Sequence, residues 1–257
     1  METGLLFLMQ KTKNNTKKTF VYQFETYFLI ESATVNHKIY FSDKDYLSKS
    51  NLFFEKLDKD FVEVVYLNSQ PTIVPSLYYE EKIKSKYLEK NTIISKSIVS
   101  DTSNDKKIKV VYTISDELTE VVVKNNLKYS NKNYFTYLYN FLVKRISKSD
   151  GFSFYIYMNY KSFDIIIFNS DEFIFFNSFK INDENEFLYY LFFVLKNYES
   201  TNKTDKIMFL GKYEKFKDYY EIASKYSIID FVDFTNNSSI INDSPFFSIL
   251  NENYIRN

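Results

Sequence analysis

The most constraining feature of this chain is one continuous stretch, Phe152 to Glu199. "FSFYIYMNY" and "SFDIIIFN" are rich in Phe, Tyr and Ile, and a short polar corner separates them. "EFIFFNSFKI" follows after the turn at Asn169-Ser170-Asp171. Aromatic and β-branched residues fit a pleated, buried surface, so the three runs predict a β-meander. "NDENEFLYYLFFVLKNYE" then changes period: Phe187, Tyr190, Leu191, Val194 and Leu195 fall on one helical face. Asn182 or Asp183 is placed to cap that helix, with further acids near its positive end. "KIMFLG" is a short buried strand closed by Gly211, "YEKFKDYYEIASKYS" an amphipathic helix, and "IIDFVDF" another strand. Asp243, Ser244 and Pro245 introduce a last helical piece, "PFFSILNENYI". The order β-β-β-α-β-α-β-α predicts a mixed sheet with helices packed on it.

The first half repeats this order less cleanly. "TFVYQFE", "YFLIESATV" and "HKIYFS" read as a meander, "DYLSKSNLFFEKL" as a helix and "FVEVVYLN" as a strand. "TIVPSLYYEEKIKSKYLEKN" reads as a strand end turned by Pro75 into a helix. "KIKVVYTIS" is a strand, and "DELTEVVVKNN" and "NYFTYLYNFLVKRI" are helices. Both halves open on a strand, a short polar corner and an apolar strand. That shared order predicts a duplicated α/β architecture, divided at 18–130 and 131–257.

Composition narrows the chemistry. The 27 Phe and 24 Tyr supply ample core for 257 residues, and no disordered chain has such a composition. The 33 basic and 33 acidic residues cancel, which argues against a nucleic-acid partner, because phosphate neutralisation needs a basic excess. The lysine clusters "KTKNNTKKT" and "NDKKIK" read as solvated tail and loop. There is no cysteine, which excludes thiol nucleophiles, disulfides and thiolate metal sites and accords with a reducing, cytoplasmic setting. "GLLFLM" is too short for a signal-peptide core and has Glu2 where a positive charge belongs; no run is long enough to span a bilayer. Three glycines leave no P-loop and no dinucleotide fingerprint. His37, the single histidine, reads as an exposed strand start, and zinc lacks ligands. Metal-dependent nuclease chemistry needs converging carboxylates; Asp164, on the second strand of the later meander, is equally compatible with pointing outward.

Two stretches carry a family resemblance. They are "VEVVYLNSQPTIVPSLYYEEKIKSKYL" and "FNSDEFIFFNSFKINDENEFLYYLFFVLKNYE", the latter followed by "KIMFLGKY". Over residues 18–254 the chain resembles an uncharacterised bacterial family, a domain of unknown function. That family is similar to the actin-like ATPase superfamily, in the branch of the pilus-assembly protein PilM and the cell-division protein FtsA. The resemblance implies two ribonuclease-H-like subdomains and a nucleotide cleft whose phosphate loops are hairpin corners carrying an acid and a glycine. The corresponding corners here, "FETYF" and "MNYKSF", contain no glycine. Glu25 stands where the first acid is expected and Asn159, uncharged, where the second is. Of a purine-binding glycine pair only Gly211 remains, beside Lys212. These three departures weigh against ATP hydrolysis. The expectation is a non-catalytic module with no cofactor and no metal, acting on a protein partner. The alternative is a divergent ATP binder or weak ATPase in which Glu25 organises the metal.

Overall fold

The computed structural model describes residues 18–31, 36–55, 61–88, 97–146, 151–198 and 206–232. The strands are β1 (Lys18–Gln23), β2 (Tyr27–Glu31), β3 (Asn36–Tyr40), β4 (Phe61–Tyr66), β5 (Thr72–Pro75), β6 (Ser97–Thr102), β7 (Ile108–Ile114), β8 (Lys128–Asn133), β9 (Phe152–Met158), β10 (Ser162–Asn169), β11 (Glu172–Lys180), β12 (Lys206–Leu210) and β13 (Ile229–Val232). The helices are α1 (Tyr46–Phe54), α2 (Asp116–Lys124), α3 (Tyr134–Val143), α4 (Glu184–Asn197) and α5 (Lys217–Ser224).

They build two five-stranded sheets, ordered β3-β2-β1-β4-β8 and β11-β10-β9-β12-β13, and a three-stranded sheet, β5-β7-β6. The two large sheets share one topology. β1 is antiparallel to β2 and parallel to β4; β9 is antiparallel to β10 and parallel to β12. The fold is therefore mixed α/β with a duplicated sheet. The chain forms two compact units: the described residues of Met1–Asn68 with Ile114–Lys132, and those of Ser69–Thr113 with Asn133–Asn257. The three-stranded segment, residues 69–113, thus groups with the second unit, whereas a division at 130 assigns it to the first half.

In the second unit both faces of the large sheet are covered. Phe154, Ile156, Phe163, Ile165 and Ile167 pack with Phe187, Leu191 and Val194 of α4 and Tyr220 and Ala223 of α5. The opposite face meets α3: the Phe135 and Phe176 rings lie 4.2 Å apart, and Tyr134 stacks on Tyr157 at 6.1 Å. Strands buried on both faces read as unbroken apolar runs, which explains the Ile and Phe tracts of β9 and β10. Asp183 caps α4, its Oδ1 accepting the Asn185 and Glu186 amides at 2.9 Å each. Glu186 reaches back to the Asn182 amide at 2.9 Å, a reciprocal cap.

Residues 76–88 differ from the expected α-helix. They form two short 3-10 stretches with a kink at Ile83, φ −115°. A tyrosine takes over the backbone's partners there: the Tyr87 hydroxyl donates to the Tyr78 carbonyl at 3.0 Å and accepts the Glu80 amide at 3.0 Å. β6 and β8, polar in sequence, are additional strands. The last helical piece, "GLLFLM" and residues 11–17 of the "KTKNNTKKT" cluster lie outside the described residues, while Lys18 and Thr19 open β1.

The start of α3 is set by a buried carboxylate. Asp101 Oδ2 accepts the Asn133 amide at 2.7 Å and the Thr136 hydroxyl at 2.8 Å; Oδ1 accepts the Tyr112 hydroxyl at 3.1 Å. Asn133 caps the helix through the Phe135 amide at 2.9 Å and donates Nδ2 to the Ser69 carbonyl at 2.8 Å. A carboxylate at a helix N-terminus is favoured by the dipole. Substituting Asp101→Ala leaves several buried donors unmatched, so urea denaturation should show a loss of about 3 kcal/mol or more; a loss below about 1 kcal/mol contradicts this account.

Candidate functional site

Three positions singled out in the sequence, Glu25 in the first unit and Asn159 and Gly211 in the second, each stand in a turn. Glu25 lies in the corner joining β1 to β2, closed by the Phe24 amide donating to the Tyr27 carbonyl at 2.9 Å. Asn159 opens the corner joining β9 to β10, closed by its own amide donating to the Ser162 carbonyl at 2.8 Å. The two corners are built alike, as their positions in equivalent sheets require. Glu25 is exposed and Asn159 half-buried.

The side chains around these corners are aromatic and cationic. Phe24 stacks on Tyr27 at 4.4 Å, and the Lys38 ammonium sits 4.0 Å from the centre of the Tyr27 ring. At the second corner Tyr160 is 86% exposed, with Lys161 beside it. Backbone approach to a phosphate needs bare amides, which glycine leaves uncovered. Here every corner residue carries a side chain.

Gly211 ends β12, its amide donating to the Val232 carbonyl at 3.1 Å. Its φ of +84° requires glycine, and a Cβ there would lie 2.5 Å from the Tyr213 ring. Tyr213 therefore fills the space beside the glycine. The Tyr220 hydroxyl locks the turn, donating to the Gly211 carbonyl and accepting the Tyr213 amide, each at 3.3 Å. Burial pushes the Tyr220 phenol up to about 12. Alongside runs a groove of about 480 Å³ between α5 and β13. Tyr220, Ile229 and Phe231 are among its lining, with Lys212, Lys217, Glu214 and Glu221 as its charged residues. Lys212 lies 5.3 Å over the Phe231 ring, while Lys217 sits loosely between Glu214 at 4.0 Å and Glu221 at 3.8 Å. Such exposed pairs contribute little and leave the rim free to reorganise.

Other expected positions have structural surroundings. His37 stacks on Phe53 at 6.0 Å on β3. Among the described residues no three of His, Cys, Asp and Glu cluster as a metal site, and no helix is long and apolar enough to cross a membrane. Asp164 points inward and is fully buried. Its Oδ2 accepts the Tyr134 hydroxyl at 2.8 Å, while Oδ1 has no hydrogen-bond partner. Burial pushes its carboxyl up to about 6, against the lowering pull of Ser178 opposite it on β11 and of Tyr134. The same burial, and then the Asp164 charge, drive the Tyr134 phenol well above its ordinary value.

The comparisons with known proteins agree with this architecture. A family model, "Protein of unknown function (DUF3822)", matches residues 2–228. The chain belongs to this family. No curated protein matches the sequence. Among solved structures, a Bacteroides thetaiotaomicron protein with actin-like ATPase fold and unknown function is similar, with a TM-score of 0.72 at 13% identity over 95% of this chain and 99% of that one. A chain of the PilM–PilN type IV pilus biogenesis complex is similar too, with a TM-score of 0.59 at 11% identity over 93% of this chain and 98% of that one. At such identities the likeness concerns the fold, and this DUF3822 protein has the actin-like ATPase fold.

Two measurements check the local geometry. Gly211→Ala should cost about 1–3 kcal/mol in urea denaturation, from the positive φ and the clash with Tyr213 together; a neutral result removes the close approach. Asp164 predicts a pH dependence. Its folded pKa, about 6, exceeds the 3.8 of an ordinary aspartate. Between these values the folded state holds the extra proton, so stability falls as pH rises through that window and the penalty is complete above about 6. Asp164→Asn should match the parent near pH 4 and gain on the order of 1–3 kcal/mol by pH 7.5, followed by denaturation across pH. An equal difference at both pH values contradicts the assignment.

Proposed function

We propose that this DUF3822 protein is a non-catalytic actin-like module that works by binding a protein partner. The observation that carries this reading is the state of the three positions where the fold would hold a nucleotide. The first corner offers a lone exposed acid flanked in sequence by the stacked Phe24 and Tyr27, the second an uncharged Asn159, and the third a glycine whose free side is occupied by Tyr213. Triphosphate binding relies on bare amides and on carboxylates that organise Mg²⁺ through water. One carboxylate and no glycine at either corner supply little of this. The division 18–130 and 131–257 remains part of the proposal as the extent of the two repeats.

The groove between α5 and β13 supports the partner side of the reading. An apolar floor with a rim of mixed charge, Lys212 and Lys217 beside Glu214 and Glu221, suits a peptide with apolar anchors and polar flanks. A similar fold occurs in a PilM–PilN complex, so binding to another protein is within the reach of such scaffolds.

The second reading, a divergent ATP binder or weak ATPase, rests on Glu25, an exposed acid at the corner where the superfamily keeps one. Isothermal titration with ATP and Mg²⁺ separates the two. The expected result is no heat of binding at millimolar nucleotide and no phosphate release. Micromolar binding with turnover overturns the non-catalytic reading. If nucleotide raises the melting temperature and Glu25→Ala abolishes that rise, the second reading replaces the first.

A further inference from the structure

α4 carries two apolar stripes, and the core uses one of them. Phe187, Leu191, Val194 and Leu195 are buried against the second sheet. On the opposite side the helix turns Tyr189 and Phe193 to solvent, 64% and 54% exposed, with their rings stacked at 6.4 Å. A helix lying on a globular core ordinarily presents polar residues there. The neighbouring α5 does so, with Lys217, Asp218, Glu221 and Ser224 exposed. The outer apolar surface of α4 extends sideways through Phe192 to the exposed Tyr226, 5.8 Å away.

The outer stripe is ordered along the helix. Glu186, Tyr189, Phe193 and Lys196 are spaced three, four and three residues apart. At about 100° per residue the four fall within an arc of about 80°. The aromatic pair stands in the middle, an acid at one end and a base at the other. This alternation of threes and fours is the spacing with which one helix lies along another. Glu186 accepts the Asn182 amide at 2.9 Å and keeps acceptor capacity on both oxygens. Lys196 is exposed and has no ion-pair partner among the described residues.

We infer that this stripe is a self-association surface, on which a second copy of the chain lays its own α4 antiparallel across a two-fold axis. The positions of the four residues set the register. Tyr189 and Phe193 lie equally far from Leu191 along the helix, and so do Glu186 and Lys196. A two-fold level with Leu191 therefore sets Tyr189 against Phe193 of the other copy in two central layers. It sets Glu186 against Lys196 in the two outer layers. Parallel packing would instead place Glu186 beside Glu186 and Lys196 beside Lys196, which like-charge repulsion disfavours. The polar rim obeys the same register, because the exposed Asn185 and Asn197 also lie equally far from Leu191. The contact is isologous and closes at two copies. One 14-residue helix from each copy makes a small interface, so the association is reversible. It uses neither the corners nor the α5–β13 groove, and it stands whether or not the non-catalytic reading holds.

Sedimentation and light scattering across a concentration series test it on the full chain. The parent should show a monomer–dimer equilibrium. Lys196→Glu should weaken dimerisation about tenfold, since two attractive contacts become repulsive. Phe193→Glu should abolish it while leaving the melting temperature close to the parent's, because that ring lies outside the core. The chain has no cysteine, so introduced cysteines report the register cleanly. Asn185→Cys and Asn197→Cys should each cross-link poorly with itself under a short bifunctional maleimide, because like positions lie about 18 Å apart along the paired helices. An equimolar mixture of the two should cross-link readily. A parent that stays monomeric at the highest soluble concentration overturns the inference. A dimer indifferent to either glutamate substitution overturns it, and so do single-cysteine variants that cross-link with themselves as well as with each other.

Discussion

The second unit depends on how α3 is aimed, and the carboxylate of Asp101 does the aiming. It collects the first amide of the helix region, a hydroxyl from its first turn and a phenol from β7. A buried carboxylate is tolerated only when its oxygens are matched, and here the matching groups come from separate stretches of chain. Once the helix start is fixed, Phe135 and Tyr139 must fall on the aromatic face of the second sheet, and Tyr134 must reach Asp164. Asp105 adds a second tie farther along the helix, accepting the Tyr139 hydroxyl at 2.9 Å. Nonpolar packing supplies most of the stability of such a face, but it is non-directional. The polar node selects one registry among the several that packing alone would allow.

The same topology occurs twice, yet the two sheets are finished differently. The corner of the first carries an exposed Glu25 between the stacked Phe24 and Tyr27 in sequence, and that of the second carries Asn159 and an exposed tyrosine. Conserving the hairpin demands only two strands and a closed turn. Binding a phosphate demands in addition bare backbone and fixed charge. A chain with three glycines satisfies the first demand easily and the second hardly at all. On the proposed reading the scaffold is kept while the nucleotide chemistry is not, and a surface such as the α5–β13 groove takes the partner.

Legibility in the sequence followed burial. β9, β10, β11 and α4 stand out because their residues are apolar wherever they contact protein, so period and composition agree. β6 and β8, SIVSDT and KYSNKN, hide because their polar residues serve partners distant in sequence: Asp101 meets Asn133 and Thr136, and Ser130 meets Glu63 at 3.2 Å. Residues 76–88 read as helix on charge spacing, but Tyr87 satisfies backbone groups that a helix would have bonded internally. The corners were legible as short polar breaks between apolar runs, Glu25-Thr26 in the first and Asn159 to Ser162 in the second. The Tyr213 ring against Gly211 was not legible, because nothing local says which way a ring two residues on will turn.

By itself the sequence determined the class of fold and its doubling, through alternation, helical stripes and turn residues, all of which act over a few neighbours. It also excluded thiol chemistry and a P-loop, since the chain has no cysteine and lacks the glycine–lysine spacing. Tertiary structure alone decided that Asp164 faces inward, because an alternating strand has two faces and only the arrival of α3 makes both of them interior. It alone decided that, among the described residues, β11 is an outer strand while β12 and β9 are enclosed. Those outcomes turn on contacts between segments far apart in the chain, and no local pattern encodes them.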